Sequence, residues 1–187
     1  MSKIKVVGID IGLRNTGFAK ATLDLNSMEL VIDDLVLVQT ESSKTKEVRK
    51  NSDDMRRAKI MHEAVQLHSK GASFAIGEIP TGSQVYRAAF GFGICIGVLS
   101  GLQIPLIQVQ PTEVKLATVG KKNATKDEMI AHAVKAHPHA QWLTRKFKGE
   151  IVLVADNEHL ADAVSVIYAG LLSDQFRQAT ALLKGMS

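Results

Sequence analysis

GIDIGLRNTGFA, residues 8–19, begins as a strand and breaks into a turn. Together with Ile4 to Val7 before it, the run is short, apolar and rich in Val and Ile, the pattern of a strand covered on both faces. Yet it carries Asp10, and a glycine-containing turn follows at once. Burying a lone carboxylate costs several kcal/mol, comparable with the whole stability margin of a small domain. An aspartate at this position therefore calls for a use beyond folding.

Outward from this run the chain continues as strands. TGFAKATLDL (16–25) and MELVIDDLVLVQT (28–40) alternate more strongly, and LNS (25–27) marks the turn between them, so the first three strands form an antiparallel meander. Residues 40–57 then shift to a stretch rich in Lys and Arg with no aromatic residue. It reads as an exposed loop leading into a helix capped by Asn51 or Ser52 and running to about Lys70. ASFAIGEIP (72–80) is a second buried strand, and it too ends in an acid, Glu78, just before Pro80.

The next stretch, RAAFGFGICIGVLSGLQIPLIQVQP (87–111), has an apolar run of about fifteen residues before Gln103, short of the roughly 20 that span a bilayer. A buried helix over about 83–101 and a strand over about 104–109 account for it, and no membrane partner is expected. Glycines 91, 93, 97 and 101 cost roughly 1 kcal/mol each in a helix, which implies close approach of another backbone. They do not make a phosphate loop, because no strand-to-helix turn precedes them and no Gly-Lys-Ser/Thr follows. Pro111 opens a short helix to about Thr118, and Thr125 with Glu128 forms a capping box for a helix over 126–136. Residues 136–149 read as a helix fragment and a loop, followed by helices over about 156–172 and 174–184. The order, three strands and then helices interleaved with two more strands, predicts a single α/β domain over residues 1–187 with a mixed sheet.

Composition sets the outer bounds. At 187 residues, 45% hydrophobic and 22% charged, the chain is long enough for one sizeable core. The single cysteine, Cys95, excludes an internal disulfide and a Cys-based zinc finger, and its apolar surroundings read as core. A net charge of +4 permits a polyanionic partner without demanding one. No basic segment followed by an apolar one opens the chain, so the expected location is the compartment of synthesis, the cytoplasm of a bacterial or phage-infected cell.

Asp10 and Glu78 interrupt apolar strands, and Asp162 interrupts the apolar helix HLADAVSVIYAG (159–170). Three acids at buried-looking positions have a common explanation if the strands are neighbours and the helix crosses them: their repulsion is relieved by protons or by cations. Hard oxygen ligands favour Mg²⁺ or Mn²⁺, and His159, three residues before Asp162 on the same helix face, offers a fourth ligand. Taken singly, Asp10 also reads as a turn former, Glu78 as a surface acid, Asp162 as a solvated helix position and His159 as a hydrogen-bonded core histidine.

The motifs GIDIGLRNTGFA, FAIGEIP, QVQPTEVKLATVGKKNATKDEM and HLADAVSVIYAG, in this order and spacing, resemble RuvC-type Holliday-junction resolvases from about residue 4 to 172. The resemblance implies a ribonuclease-H-like fold, a five-stranded mixed sheet flanked by helices. It implies that Asp10, Glu78, His159 and Asp162 hold two Mg²⁺ ions, with Mn²⁺ as substitute, and His159 departs from the commoner Asp. It places Lys115 and Lys126 near the scissile phosphate, with Lys121, Lys122 and the basic 44–57 segment on DNA phosphates. Arg14, Tyr86 and Arg87 complete the expected DNA contacts; Tyr86 or Phe90 stands in for an aromatic that family members carry soon after the strand-four Glu. The implied activity is paired symmetric nicking of four-way junctions by a homodimer built on the glycine-rich helix, leaving 5′ phosphate and 3′ hydroxyl. The motifs are silent on a branch-migration motor as a further partner. Three rival readings stay open: a flap or branched-DNA nuclease on the same fold, a junction-binding module without catalysis, and an ATPase of the actin and sugar-kinase type. The last needs two domains and a longer chain.

Overall fold

The computed structural model describes residues 3–45 and 48–185, with side chains up to Ala181. Lys46, part of the basic segment read above, lies outside the described residues. Three strands, β1 (Lys3–Asp10), β2 (Asn15–Asp24) and β3 (Leu30–Gln39), form the antiparallel meander, and β4 (Phe74–Glu78) and β5 (Leu106–Val109) add to β1 in parallel. The order β3-β2-β1-β4-β5 puts β1 at the centre of the mixed five-stranded sheet that the sequence predicts.

Strand periodicity sorts the sheet into two cores. On one face Ile4, Val6, Phe74 and Ile76 pack with Leu160, Ala163, Val164 and Ile167 of helix α5 (Asn157–Leu172). On the other, Val7, Ile9, Phe18 and Ala75 pack with Met61 and Val65 of α1 (Lys50–Ser69) and with Cys95, Val98 and Leu99 of α2 (Tyr86–Ser100). The face is what matters for the acids. Asp10 shares the parity of Val6 and Gly8, and Glu78 that of Phe74 and Ile76, so both project toward the α5 side.

α5 lies on the sheet at backbone contact. A Cβ on Gly8 would stand 1.9 Å from the Ala163 carbonyl oxygen, and one on Gly17 would stand 2.1 Å from that of His159. Only glycine admits that approach. The two glycines of the quoted run thus draw the helix carrying His159 and Asp162 onto the strand carrying Asp10.

α3 (Pro111–Val119) and α4 (Lys126–Ala136) complete the α5 side, the latter opened by the predicted capping box of Thr125 and Glu128, and α6 (Asp174–Gly185) closes the chain. Two expectations need correction. α1 starts at Lys50 with Arg49 at its cap position and no capping side chain, so neither Asn51 nor Ser52 is the cap. Its first-turn Asp53 instead accepts from the Ser43 amide and from Arg56, tying the helix to the loop before it. Within residues 136–149, expected as a helix fragment and a loop, Thr144–Phe147 is instead strand β6, which pairs with β7 (Glu150–Leu153) as a hairpin. Its two-residue turn, Lys148 and Gly149, has both φ angles positive, the geometry that matches strand twist. Among the described residues nothing of this chain lies within 4 Å of a Cβ placed on Gly93 or Gly97, so the close approach expected there is left to a second chain. No helix among the described residues is long and apolar enough to cross a membrane.

Candidate active site

β1 and β4 are parallel neighbours paired through Gly8 with Ile76 and Ile9 with Gly77. Asp10 and Glu78 are the next residues along each, at the C-terminal strand ends, with backbones roughly 5 Å apart. Asp162 descends from α5, and the three carboxylates line one cleft of about 230 Å³. Lys115 of α3 and Lys126 of α4 line the same cleft, with Pro111, Val114, Ala124 and Met129 making its apolar wall. Open α/β sheets present ligand sites at the C-terminal ends of their strands, as here.

The electrostatics are those of acids crowded together. Burial first, then the charges of Asp162 and Asp10, push the Glu78 carboxyl up to about 7, against the opposing pull of Lys115. Burial and Asp10 push Asp162 up to about 6, while Lys126 and His159 pull the other way. This donor set suits a hard divalent cation, which would remove the repulsion. It is not a closed cage: among the described residues, no group of three His, Cys, Asp or Glu side chains stands close enough to hold a metal ion in this arrangement.

His159 reaches Asp10 but does not line the cleft. Its Nδ1 lies 2.8 Å from Asp10 Oδ2, and its Nε2 lies 2.8 Å from Asn15 Nδ2. The Gln39 amide donates to Asn15 Oδ1 at 3.2 Å and, at 3.5 Å, to the Asp156 carboxylate, which orients Asn15 with its amide nitrogen toward the imidazole. The neutral tautomer that fits both contacts has Nδ1–H donating to Asp10 and an Nε2 lone pair facing the Asn15 amide, while Glu158 Oε1, 3.5 Å from Nε2, favours the doubly protonated ring. The hydrogen bond to Asp10 raises the proton affinity of His159 against the effect of burial. Both ring nitrogens are thus engaged, and the histidine braces Asp10 rather than facing the space between the acids. Asn15, Gln39 and Asp156 carry no signal in the sequence, since the Asn15–His159 contact joins residues 144 positions apart.

The remaining expected contacts are dispersed. Lys126 is exposed and donates to Glu158 at 3.1 Å, and this pair raises its affinity for protons. Lys121 pairs with Glu128 at 3.0 Å, while Lys122 is exposed and forms no ion pair among the described residues. Arg87 is committed to Asp54 of α1 through both oxygens. Tyr86 is 79% exposed and stacks on Phe90 with ring centroids 6.3 Å apart. Arg14 lies on the β1–β2 turn, outside the cleft.

No protein-family model and no curated protein sequence matches the chain. Solved structures do. The RuvC of Thermus thermophilus in complex with a Holliday junction substrate is similar with a TM-score of 0.64 at 19% identity, over 89% of this chain and 92% of that one. A further Thermus thermophilus RuvC structure is similar with a TM-score of 0.59 at 18% identity, over 89% and 92% of the two chains. The fowlpox virus Holliday junction resolvase is similar with a TM-score of 0.50 at 13% identity, over 90% and 97%. The chain has the RuvC-type, ribonuclease-H-like fold.

Proposed function

From the RuvC-type fold and the acidic cleft at its strand ends, we propose that this protein is a divalent-metal-dependent endonuclease that resolves four-way DNA junctions. The observation that carries the reading is the meeting of Asp10, Glu78 and Asp162, from two strands and a distant helix, in one cleft with Lys115 and Lys126. Folding alone gives no reason to gather three acids, since their repulsion destabilises the chain unless a cation joins them.

Asp10, Glu78 and Asp162 would hold the ions, Mg²⁺ or Mn²⁺, two per site. When bound, such ions acidify water and stabilise charge developing on phosphate oxygens and on the leaving 3′ oxygen. Lys115 and Lys126 draw the scissile phosphate into the cleft and fix its orientation. His159 keeps the Asp10 carboxylate in place through Nδ1–H and stands ready to move a proton, with a proton affinity already raised by that carboxylate. Lys121, Lys122 and the described part of the 44–57 segment bind backbone phosphates, so affinity falls with salt.

Resolution needs two cuts, hence two sites related by symmetry. The exposed face of α2 would supply a dimer contact: Tyr86, Phe90 and Ile96 are exposed there, with Val85 exposed just before the helix, beside Gly93 and Gly97, where a partner backbone has room to approach.

Purified protein incubated with labelled four-way junction, flap and linear duplex, each with Mg²⁺, Mn²⁺ or EDTA, tests the whole reading. The expected products are paired symmetric nicks on the junction, bearing 5′ phosphate and 3′ hydroxyl, and none with EDTA. Equal cutting of flap and junction would replace junction resolution by a broader branched-DNA nuclease. Binding without cutting under every metal condition would make the chain a junction-binding module.

A further inference from the structure

The β1–β2 turn connects two sites. Asp10 ends β1 and lines the acidic cleft; four residues on, Arg14 lines a second recess of about 370 Å³. Four residues reach at most about 14 Å, which bounds the backbone separation of Arg14 from Asp10.

The floor of this recess is Arg57 of α1, only 6% exposed. Its guanidinium donates to Thr40 Oγ1 at 3.0 Å, to Ser42 Oγ at 3.2 Å and to the Leu13 carbonyl at 3.0 Å. All three acceptors are neutral, and Arg57 forms no ion pair among the described residues. The carboxylates nearest it along α1 are used elsewhere: Asp53 by Arg56 and the Ser43 amide, Asp54 by Arg87. Asp53, one helical turn back, is a counter-charge at a distance, since the Arg57 charge helps hold its carboxyl below the ordinary range, but among the described residues no carboxylate is in direct contact with the guanidinium, and its three neutral acceptors offset only part of the cost of burying it.

The rim adds to the same sign. Arg14 and Lys44 are exposed, line the recess and form no ion pair among the described residues. Glu41 is the one carboxylate among the lining residues. Ser42 accepts from Arg57, which leaves its own hydroxyl proton free to donate. One buried guanidinium, two rim cations and a hydroxyl donor match the several oxygens of a phosphate group, which accepts from all of them together.

We infer that this recess is a phosphodiester subsite, taking a backbone phosphate of the same DNA strand whose scissile phosphate lies in the acidic cleft. Arg57 is the fixed charge, Arg14 and Lys44 the closing ones, and two-point attachment sets which phosphate reaches the acids. The naming of DNA as the ligand rests on the nuclease reading; the phosphate chemistry of the recess does not.

The test therefore has two arms, both on the full chain without metal and both leaving Arg57 intact, because its hydrogen bonds hold the turn. In the first, inorganic phosphate is titrated while the arginine Nε–Hε signals are followed by NMR, with chloride at equal ionic strength as control. Saturable shifts at Arg57 and Arg14, with affinity at least about tenfold weaker in Arg14→Gln, are expected. No saturable shift, or the same shift with chloride, overturns the site. In the second, four-way-junction binding is measured against salt for the wild type and for Arg14→Gln with Lys44→Gln. The slope of log affinity on log salt should become shallower by about 1 to 2. An unchanged slope overturns the assignment to a DNA phosphate and leaves a site for free phosphate. A wild type that binds no DNA sinks the nuclease reading and the DNA assignment with it, while the first arm still decides the phosphate site.

Discussion

At the level of single residues, the cleft is built from carboxylates whose placement costs stability. The Glu78 carboxyl stands at about 7 against an ordinary 4.5, so the folded chain holds that proton more tightly than the unfolded one. Its contribution to stability is complete below the unfolded value and is lost as pH rises through about 7. Metal-free Glu78→Gln should therefore be more stable than the wild type at pH 8, by on the order of 1–2 kcal/mol after solvent screening, and not at pH 4. Urea unfolding at both pH values checks this, and an equal difference at the two would remove electrostatic strain as its cause. Asp10→Asn should abolish cleavage while leaving junction binding, read by a nicking assay beside a gel shift; retained cleavage would reject Asp10 as a metal ligand. Asn15 offers a third test. With Asn15→Asp, an acceptor would replace the donor facing His159 Nε2, favouring the imidazolium, so the His159 pKa followed by NMR should rise above that of the wild type. A fall would contradict the tautomer assigned by the hydrogen-bond chain.

At the scale of elements, the position of α5 decides whether the acids meet. Gly8 and Gly17 let its backbone rest on β1 and β2, and Gly170 similarly gives room to Ile76. Gly17→Val should push the helix off the sheet, destabilising the chain by about 3 kcal/mol or more and removing metal-dependent cleavage. Thermal unfolding with a cleavage assay checks it, and a variant with unaltered stability would show that the close approach is not needed. Asp10, Glu78 and Asp162 were legible because a charge inside an apolar run is a local anomaly, and the capping box of α4 because Thr125 and Glu128 are three residues apart. The β6–β7 hairpin was not, because its strands are four residues long, lie outside the main sheet and bury almost nothing, so no alternation marks them. The glycines of α2 imply close approach, and among the described residues Gly93 and Gly97 meet nothing of this chain, so only a second chain can supply it. The bracing of Asp10 by His159 and Asn15 is a product of tertiary folding, as is the recess over Arg57.

At the scale of the whole molecule, the mixed sheet sets one acid-bearing corner between α3, α4 and α5, and leaves α2 on the opposite face with apolar side chains in solvent. That division suits the proposed function, in which the chain would cut on one side and pair with its copy on the other. All of it depends on Asp10, Glu78 and Asp162 acting together on a divalent ion. Calorimetric titration of Mn²⁺ into the full chain at pH 8 and pH 5.5 measures this without DNA. The account predicts saturable binding at pH 8, weakened at pH 5.5 where Glu78 and Asp162 hold protons, and lost in Asp162→Asn. Absence of saturable binding at pH 8, or binding that Asp162→Asn leaves unchanged, would contradict it.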